Sequence, residues 1–313
     1  MSGKQNQLDR MTYSRISGVD KDVSQIVMGT LFASEIDQAA PVFDYFAEQG
    51  GNCFDTARHY GDAELVFGEW MCQRGNRDDT VVITKGAHTP NCNPETVIKE
   101  VAESLERLQT DFVDIYFLHR DNPEVPVGEF VDVLNEQKNA GRLGIFGGSN
   151  WSPERMDEAN EYAAQNGLQG FTVLSNHMSL ARMVEAPWEG CLAASDPASR
   201  QWLAERNMPL FPWSSQARGF FVDGRAAPDD ISDPELVRCW YSDDNFERLS
   251  RARQLAEKHN VTAITIALAY VLSQPTPTFP LIGPVNVEEA QSSIAALDVE
   301  LSADDLRWLN LEG

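Results

Sequence analysis

The chain has 313 residues, enough for one large domain or two small ones, and its 42% hydrophobic content can fill a sizeable core. Asp and Glu number 48 against 25 Lys and Arg, a formal net charge of −23. Such a field repels phosphate backbones and anionic lipid, so nucleic acid and membrane surfaces make poor partners.

The opening residues, MSGKQNQLDR, lack an apolar signal segment, and no later run approaches the roughly 18 apolar residues of a membrane span. Cys53, Cys72, Cys92, Cys191 and Cys239 are odd in number, scattered and without a CxxC pair. That argues against a disulfide framework or structural zinc and for a reducing compartment. The expectation is a soluble cytoplasmic protein.

Short runs rich in Val, Ile and Phe follow one another along the chain as candidate strands. In order they are SQIVMGT (24–30), GNCFDTA (51–57), TVVITKG (80–86), FVDIYFLHR (112–120), LGIFGGSN (143–150), FTVLSN (171–176), MPLFPWS (208–214) and TFPLIGP (278–284). Amphipathic stretches separate them. In PETVIKEVAESLERL the residues Val97, Val101, Leu105 and Leu108 share one helical face, and Asn93-Pro94 supplies an N-cap followed by a first-turn proline. Ser152-Pro153 repeats the device.

Eight buried-type strands, most followed by a helix, predict an α/β fold of the (β/α)₈ (TIM) barrel type, a single domain over residues 1–313. A doubly wound sheet is the alternative, but no strand is followed by G-x-G-x-x-G. Residues 181–198 and 220–235 read as long irregular loops at the C-terminal face of the barrel, where active sites of this architecture lie.

Polar groups at strand ends are therefore the informative ones. Asp55 ends the second strand, Lys85 the third and His119 the fourth, and Tyr60 follows Asp55 on the next loop. A lysine buried at a strand end needs a carboxylate, and Asp55 is the natural partner. A tyrosine beside that ammonium is expected to have a lowered phenol pKa and to serve as a proton donor, with a neutral histidine opposite to hold a substrate oxygen. Taken singly, each residue has a plainer reading as a helix cap, rim aromatic, loop lysine or core histidine. What argues for chemistry is their fall on successive strand ends. A lysine amid this set, without His/Asp/Glu at ligand spacing, argues against a metal site or a metal-dependent hydrolase.

FDTARHYGDAE resembles the aldo-keto reductase signature FDTAxxYGxxE, matching at Phe54, Asp55, Thr56, Ala57, Tyr60, Gly61 and Glu64. The likeness runs in order through VMGT, ITKG, IYFLHR, GGSN and LIGPVNVEEAQSSI. It implies a barrel that binds an extended nicotinamide cofactor, NAD(H) or NADP(H), without a Rossmann domain. It further implies a carbonyl–alcohol oxidoreductase with Asp55, Tyr60, Lys85 and His119 as the catalytic set and Tyr60 as general acid/base. Ser149 and Asn150 match the pair that grips the carboxamide, and Trp213 the aromatic that stacks on the nicotinamide. Ser214, Gln216 and Arg218 align with the pyrophosphate loop, although Arg218 could instead pair with one of the many acids. Thr30, Asp55, Gly283, Asn286, Glu289 and Ser293 complete the implied cofactor contacts.

Two positions depart from the family pattern. Ser175 stands where a glutamine is usual, with Asn176 beside it as a substitute. Val285, Asn286 and Glu289 stand where NADPH-preferring members carry Lys or Arg, so the sequence leans toward NAD(H), a glutamate suiting a free ribose 2′-hydroxyl. A regulatory cofactor-binding subunit on the same scaffold is the alternative to an enzyme. The substrate is a small aldehyde, ketone, sugar or alcohol that the sequence does not name. Oligomeric state, physiological direction and the roles of His59 and His177 also stay open.

Overall fold

Chains of Val, Ile and Phe form strands that are buried on both faces, and here they pair in parallel. The computed structural model describes residues 10–312. A short antiparallel pair, β1 (Tyr13–Ser14) and β2 (Val23–Ser24), precedes β3 (Val27–Gly29), α1 (Ile36–Glu48), β4 (Cys53–Asp55) and α2 (Ala63–Arg74). Then come β5 (Val81–Gly86), α3 (Pro94–Arg107), β6 (Val113–Leu118), α4 (Val127–Asn139), β7 (Leu143–Ser149), α5 (Pro153–Asn166) and β8 (Val173–Ser175). The remainder holds α6 (Pro197–Arg206), α7 (Pro234–Trp240), α8 (Asp243–His259), α9 (Ala263–Leu272), β9 (Leu281–Ile282), α10 (Val287–Ile294) and α11 (Ala303–Leu309). Asn93 and Ser152 cap α3 and α5 by accepting from the N–H of Thr96 and Arg155. Among the described residues, no helix is long and apolar enough to cross a membrane.

Seven strands form one parallel sheet in the order β8-β7-β6-β5-β4-β3-β9. The segment expected as the seventh strand, 208–214, does not form one. It contributes a single residue, Leu210, which bridges Leu174 on one side and Thr278 on the other. The reason is its prolines: Pro209 and Pro212 have no N–H to donate, so they enter the ladder only as acceptors, from Leu174 and Leu281. Pro277 and Pro280 shorten the last strand in the same way. The extended chain at Leu210 still spans the two edges of the sheet, and the arrangement fits a (β/α)₈ barrel.

Side chains alternate across each strand, and the two faces have separate cores. Val27, Cys53, Ile83, Ile115, Phe117, Ile145, Val173 and Phe211 belong to an interior cluster, with Ile16, Val19 and Val23 packed in. The alternate residues Met28, Phe54, Val82, Tyr116, Phe146 and Leu174 pack outward against the helices. The ring of Phe54 lies 5.0–5.5 Å from those of Phe43, Phe46, Phe67 and Trp70. With Phe54 anchored outward, its neighbour Asp55 must point inward. The same parity turns Lys85, His119, Ser149 and Ser175 to the interior face, beyond the last apolar layer.

Gly147 marks the tightest point of the sheet. A Cβ there would meet the Val173 carbonyl oxygen at 1.8 Å, so any side chain pries β7 from β8. Gly147→Ala should therefore destabilise the protein by roughly 1–3 kcal/mol or more, measured by urea denaturation. A variant as stable as the parent would contradict this packing.

Candidate active site

The Lys85 ammonium donates to both carboxylate oxygens of Asp55 and, at 3.3 Å, to the Thr56 carbonyl. Both charged side chains are almost wholly buried, at 2% and 3% exposure. The Lys85 Nζ lies 5.4 Å from the centre of the half-buried Tyr60 ring. The His119 imidazole stands against that ring, nearly perpendicular, with centroids 5.6 Å apart. The four residues singled out from strand-end positions are thus brought together.

The loop carrying Tyr60 is held from below. The Thr56 and Arg58 N–H groups donate to the carbonyls of Ile83 and Lys85, and Tyr60 N–H to that of Ala57. Glu64, fully buried at the start of α2, accepts from Thr84 Oγ1 at 2.7 Å and from Arg107 Nε at 3.1 Å. Arg107 in turn donates to the Gly61 carbonyl. Glu64, the last fixed residue of the signature, acts here as an anchor for the Tyr60 loop.

Burial opposes the Lys85 charge, but Asp55 outweighs it and the ammonium pKa rises. Burial, reinforced by Lys85, pushes the His119 pKa well below its usual range, so this imidazole is neutral. Its Nδ1 has no hydrogen-bond partner among the described residues. Tyr60 departs from the expectation of a lowered phenol: its pKa is raised, because burial of the phenolate outweighs the pull of Lys85. The ammonium is already neutralised by Asp55, whose charge itself raises the phenol, so Tyr60 faces a dipole rather than a free cation.

The residues aligned with the cofactor gather at the ends of β7 and β8. Ser149 Oγ donates to the Ser175 carbonyl at 3.0 Å, and Asn150 Oδ1 accepts from Trp213 Nε1 at 3.2 Å. Ser175 spends its hydroxyl on the Phe211 carbonyl, and Asn176, the substitute for the missing glutamine, is committed at both ends of its amide to the Trp151 backbone. Thr30, at the end of β3, is buried with its hydroxyl unpartnered.

After Trp213, the residues Ser214, Ala217 and Arg218 all take positive φ (49°, 48° and 52°), and Gln216 lies within this turn. The turn is held by its own backbone, the N–H groups of Ala217, Gly219 and Phe220 donating to the carbonyls of Ser214, Gln216 and Ala217. The Arg218 side chain itself pairs with Glu235, the second of its two sequence readings. At the other end, Gly283 is exposed and Asn286 caps α10. Glu289 accepts from Val285 N–H at 3.0 Å and Asn286 Nδ2 at 3.1 Å, while Ser293 Oγ donates to the Glu289 carbonyl.

Two neighbours escaped the sequence reading. His88 stacks on His59 with centroids 4.2 Å apart and meets His119 edge-on at 4.8 Å. Its place three residues after Lys85 was the only signal. Arg120 is buried and donates to the His119 carbonyl and, at 3.4 Å, to Cys191 Sγ. Asp121 anchors the loop after His119, accepting from Arg155 at 2.9 and 3.0 Å. Among the described residues, no group of three or more His, Cys, Asp or Glu is arranged to hold a metal ion.

A parallel barrel-type sheet with a Lys–Asp pair, a tyrosine and a neutral histidine at its C-terminal end is the architecture of a carbonyl–alcohol oxidoreductase. The sequence pattern of the Aldo/keto reductase family matches residues 25–310, and the chain belongs to that family. It is 30% identical to a norsolorinic acid reductase of Aspergillus flavus over 95% of this chain and 80% of that protein. It is 28% identical to a putative aryl-alcohol dehydrogenase of Saccharomyces cerevisiae over 87% of this chain and 76% of that one. A crystal structure of a thermostable aldo-keto reductase bound to the inhibitor epalrestat shares the fold, with a TM-score of 0.76 at 19% identity, covering 97% of this chain and all (100%) of that one. Family and relatives together support an oxidoreductase acting on small-molecule carbonyls or alcohols.

His177 lies behind Trp213, its ring centre 5.0 Å from that of Trp213 and 4.9 Å from that of Trp240. Burial first, and Arg182 next, push its pKa down to about 3. Between about pH 6.5 and 3 the unfolded chain therefore binds a proton that the folded chain refuses, so stability falls as pH is lowered. His177→Phe should flatten the dependence by about one proton, roughly 1.4 kcal/mol per pH unit, in urea denaturation at pH 6.5 and 4.5. An unchanged slope would rule the assignment out.

Proposed function

We propose that the chain is an NAD(P)H-dependent carbonyl reductase, reversible as an alcohol dehydrogenase, carried by a single barrel domain over residues 1–313 and working in the cytoplasm. The observation that carries this reading is the buried Lys85–Asp55 pair beside Tyr60, with neutral His119 against the same ring. The free thiols support a reducing setting.

The residues present fit a nicotinamide dinucleotide. The Thr30 hydroxyl, without a partner among the described residues, and the half-buried face of Trp213 offer a polar contact and a stacking surface, and Ser214, Gln216 and Arg218 would hold the pyrophosphate. Ser149, Asn150 and Ser175 would hold the carboxamide end; Gly283, Asn286, Glu289 and Ser293 would hold the adenosine end. When bound, such a cofactor supplies or accepts hydride at the substrate carbon.

The chain's own residues manage the oxygen. His119 is neutral, so it offers one N–H to the carbonyl without adding charge. Tyr60 keeps its proton at neutral pH because its pKa is raised, and gives it up as the oxygen becomes basic in the transition state. Lys85, held as an ammonium by Asp55, stabilises the phenolate that remains.

The substrate is proposed to be an aromatic carbonyl or alcohol. The stacked His59 and His88 and the half-exposed Trp188, 6.3 Å from Trp213, give flat apolar faces near the strand ends. The relatives named for norsolorinic acid and aryl alcohols support the same class.

Tyr60→Phe should lower kcat by roughly 10²–10⁴ while leaving cofactor affinity within about threefold, checked by steady-state rates on an aryl aldehyde panel and by fluorescence titration. Full activity in the variant would sink the acid assignment, and no turnover by the parent on any carbonyl would favour a regulatory subunit. Residues 281–293 carry no Lys or Arg, and Glu289 is exposed there. NADH is therefore expected to give a kcat/KM roughly tenfold above NADPH, the effect of one unfavourable charge contact near a surface. Higher efficiency with NADPH would reverse that preference.

A further inference from the structure

In a chain of net charge −23, a cleft lined by three guanidinium groups against two carboxylates, Asp196 and Glu312, calls for a reason. Arg182, Arg200 of α6 and Arg248 of α8 line one cleft of 290 Å³, away from the Tyr60 site. Arg182 donates only to neutral acceptors: the Ser179 carbonyl at 2.9 Å, Tyr270 Oη at 3.0 Å and Asn310 Oδ1 at 2.6 Å. Arg248 is 6% exposed and donates to Asn245 Oδ1, while among the described residues its Nε has no partner. Among the described residues, neither has a carboxylate within ion-pair distance. Arg200 reaches Glu312 at 3.6 Å and also leaves its Nε unpartnered.

Ser195, in the same lining, is buried with an unpartnered hydroxyl. Asp196, an acid of the same lining, is occupied in capping α6, accepting from Ser199 N–H at 2.9 Å and Ser199 Oγ at 2.5 Å. A buried guanidinium without a counter-charge costs several kcal/mol, and its planar fork matches the oxygens of a carboxylate or phosphate. The volume is at or below the small end of ligand sites, roughly 300–1,000 Å³, and too small for a dinucleotide.

We propose that this cleft is a second, non-catalytic site for a small oxyanion of the phosphate class. Occupied, it ties the segment after β8 to α6 and α8. Ala193, also in the lining, pairs with His177, and the adjacent Leu192 N–H donates to Asn150 Oδ1. The cleft therefore backs directly onto the wall that holds Trp213.

The proposal is independent of the reductase reading and is tested on the whole chain without cofactor. Inorganic phosphate at millimolar concentration, against chloride of equal ionic strength, should raise the thermal midpoint saturably by about 3 °C. The rise should vanish in Arg248→Gln and persist in Arg218→Gln, which alters the turn at 214–219. Should Arg248→Gln fail to fold, Arg200→Gln, partly exposed, should at least halve the rise. No rise in the parent overturns the proposal. So does a rise lost in Arg218→Gln and kept in the cleft variants.

Discussion

A lysine ammonium and an aspartate, each nearly sealed from water, hold each other inside the barrel between Asp55 and Lys85. Neither charge is tolerable there alone, since an unpaired buried ion costs several kcal/mol. The pair therefore fixes two strand ends relative to one another and keeps Lys85 charged where no solvent does. Its near-neutrality as a unit sets the character of the surrounding groups. His119 meets enough positive potential, on top of burial, to stay unprotonated, while Tyr60 meets too little to become a phenolate.

The placement of the four groups was readable in the sequence because strand parity is a strict rule. Once Phe54 and Tyr116 are assigned to the outer, helix-facing core, Asp55 and His119 fall on the inner face. The Tyr60 pKa was not readable, because the sign rests on a contest between burial and a paired ammonium that spacing does not reveal. The seventh strand failed for a local reason, two prolines in a run of otherwise strand-like residues. The engagement of the Asn176 amide by the Trp151 backbone was not readable either, being a contact between residues 25 apart in sequence. The buried arginines around Ser195 were invisible for a similar reason, being spread from Arg182 to Arg248 with nothing in the sequence to group them.

Charge in this protein is organised against its average. Among the described residues most acids lie outside, Asp55, Glu64 and Asp114 being buried, while Lys85, Arg120, Arg182 and Arg248 are set inward or into clefts. A low-dielectric surrounding makes each inward cation count for more than a surface one. An anionic ligand approaching through the acidic field is repelled at long range and favoured only at contact, which suits selective rather than fast capture.

The raised phenol of Tyr60 also bears on direction under the reductase reading. At neutral pH the group is protonated, so it is ready to donate and must be deprotonated before it can accept. Reduction starts from the state the enzyme already occupies, whereas alcohol oxidation starts from a phenolate that burial disfavours. Lys85 narrows that gap without closing it, because Asp55 cannot be removed without losing the charge that Lys85 supplies. Under that reading burial of the phenol favours carbonyl reduction at neutral pH and the ion pair only moderates it, with oxidation gaining as pH rises toward the phenol's own value.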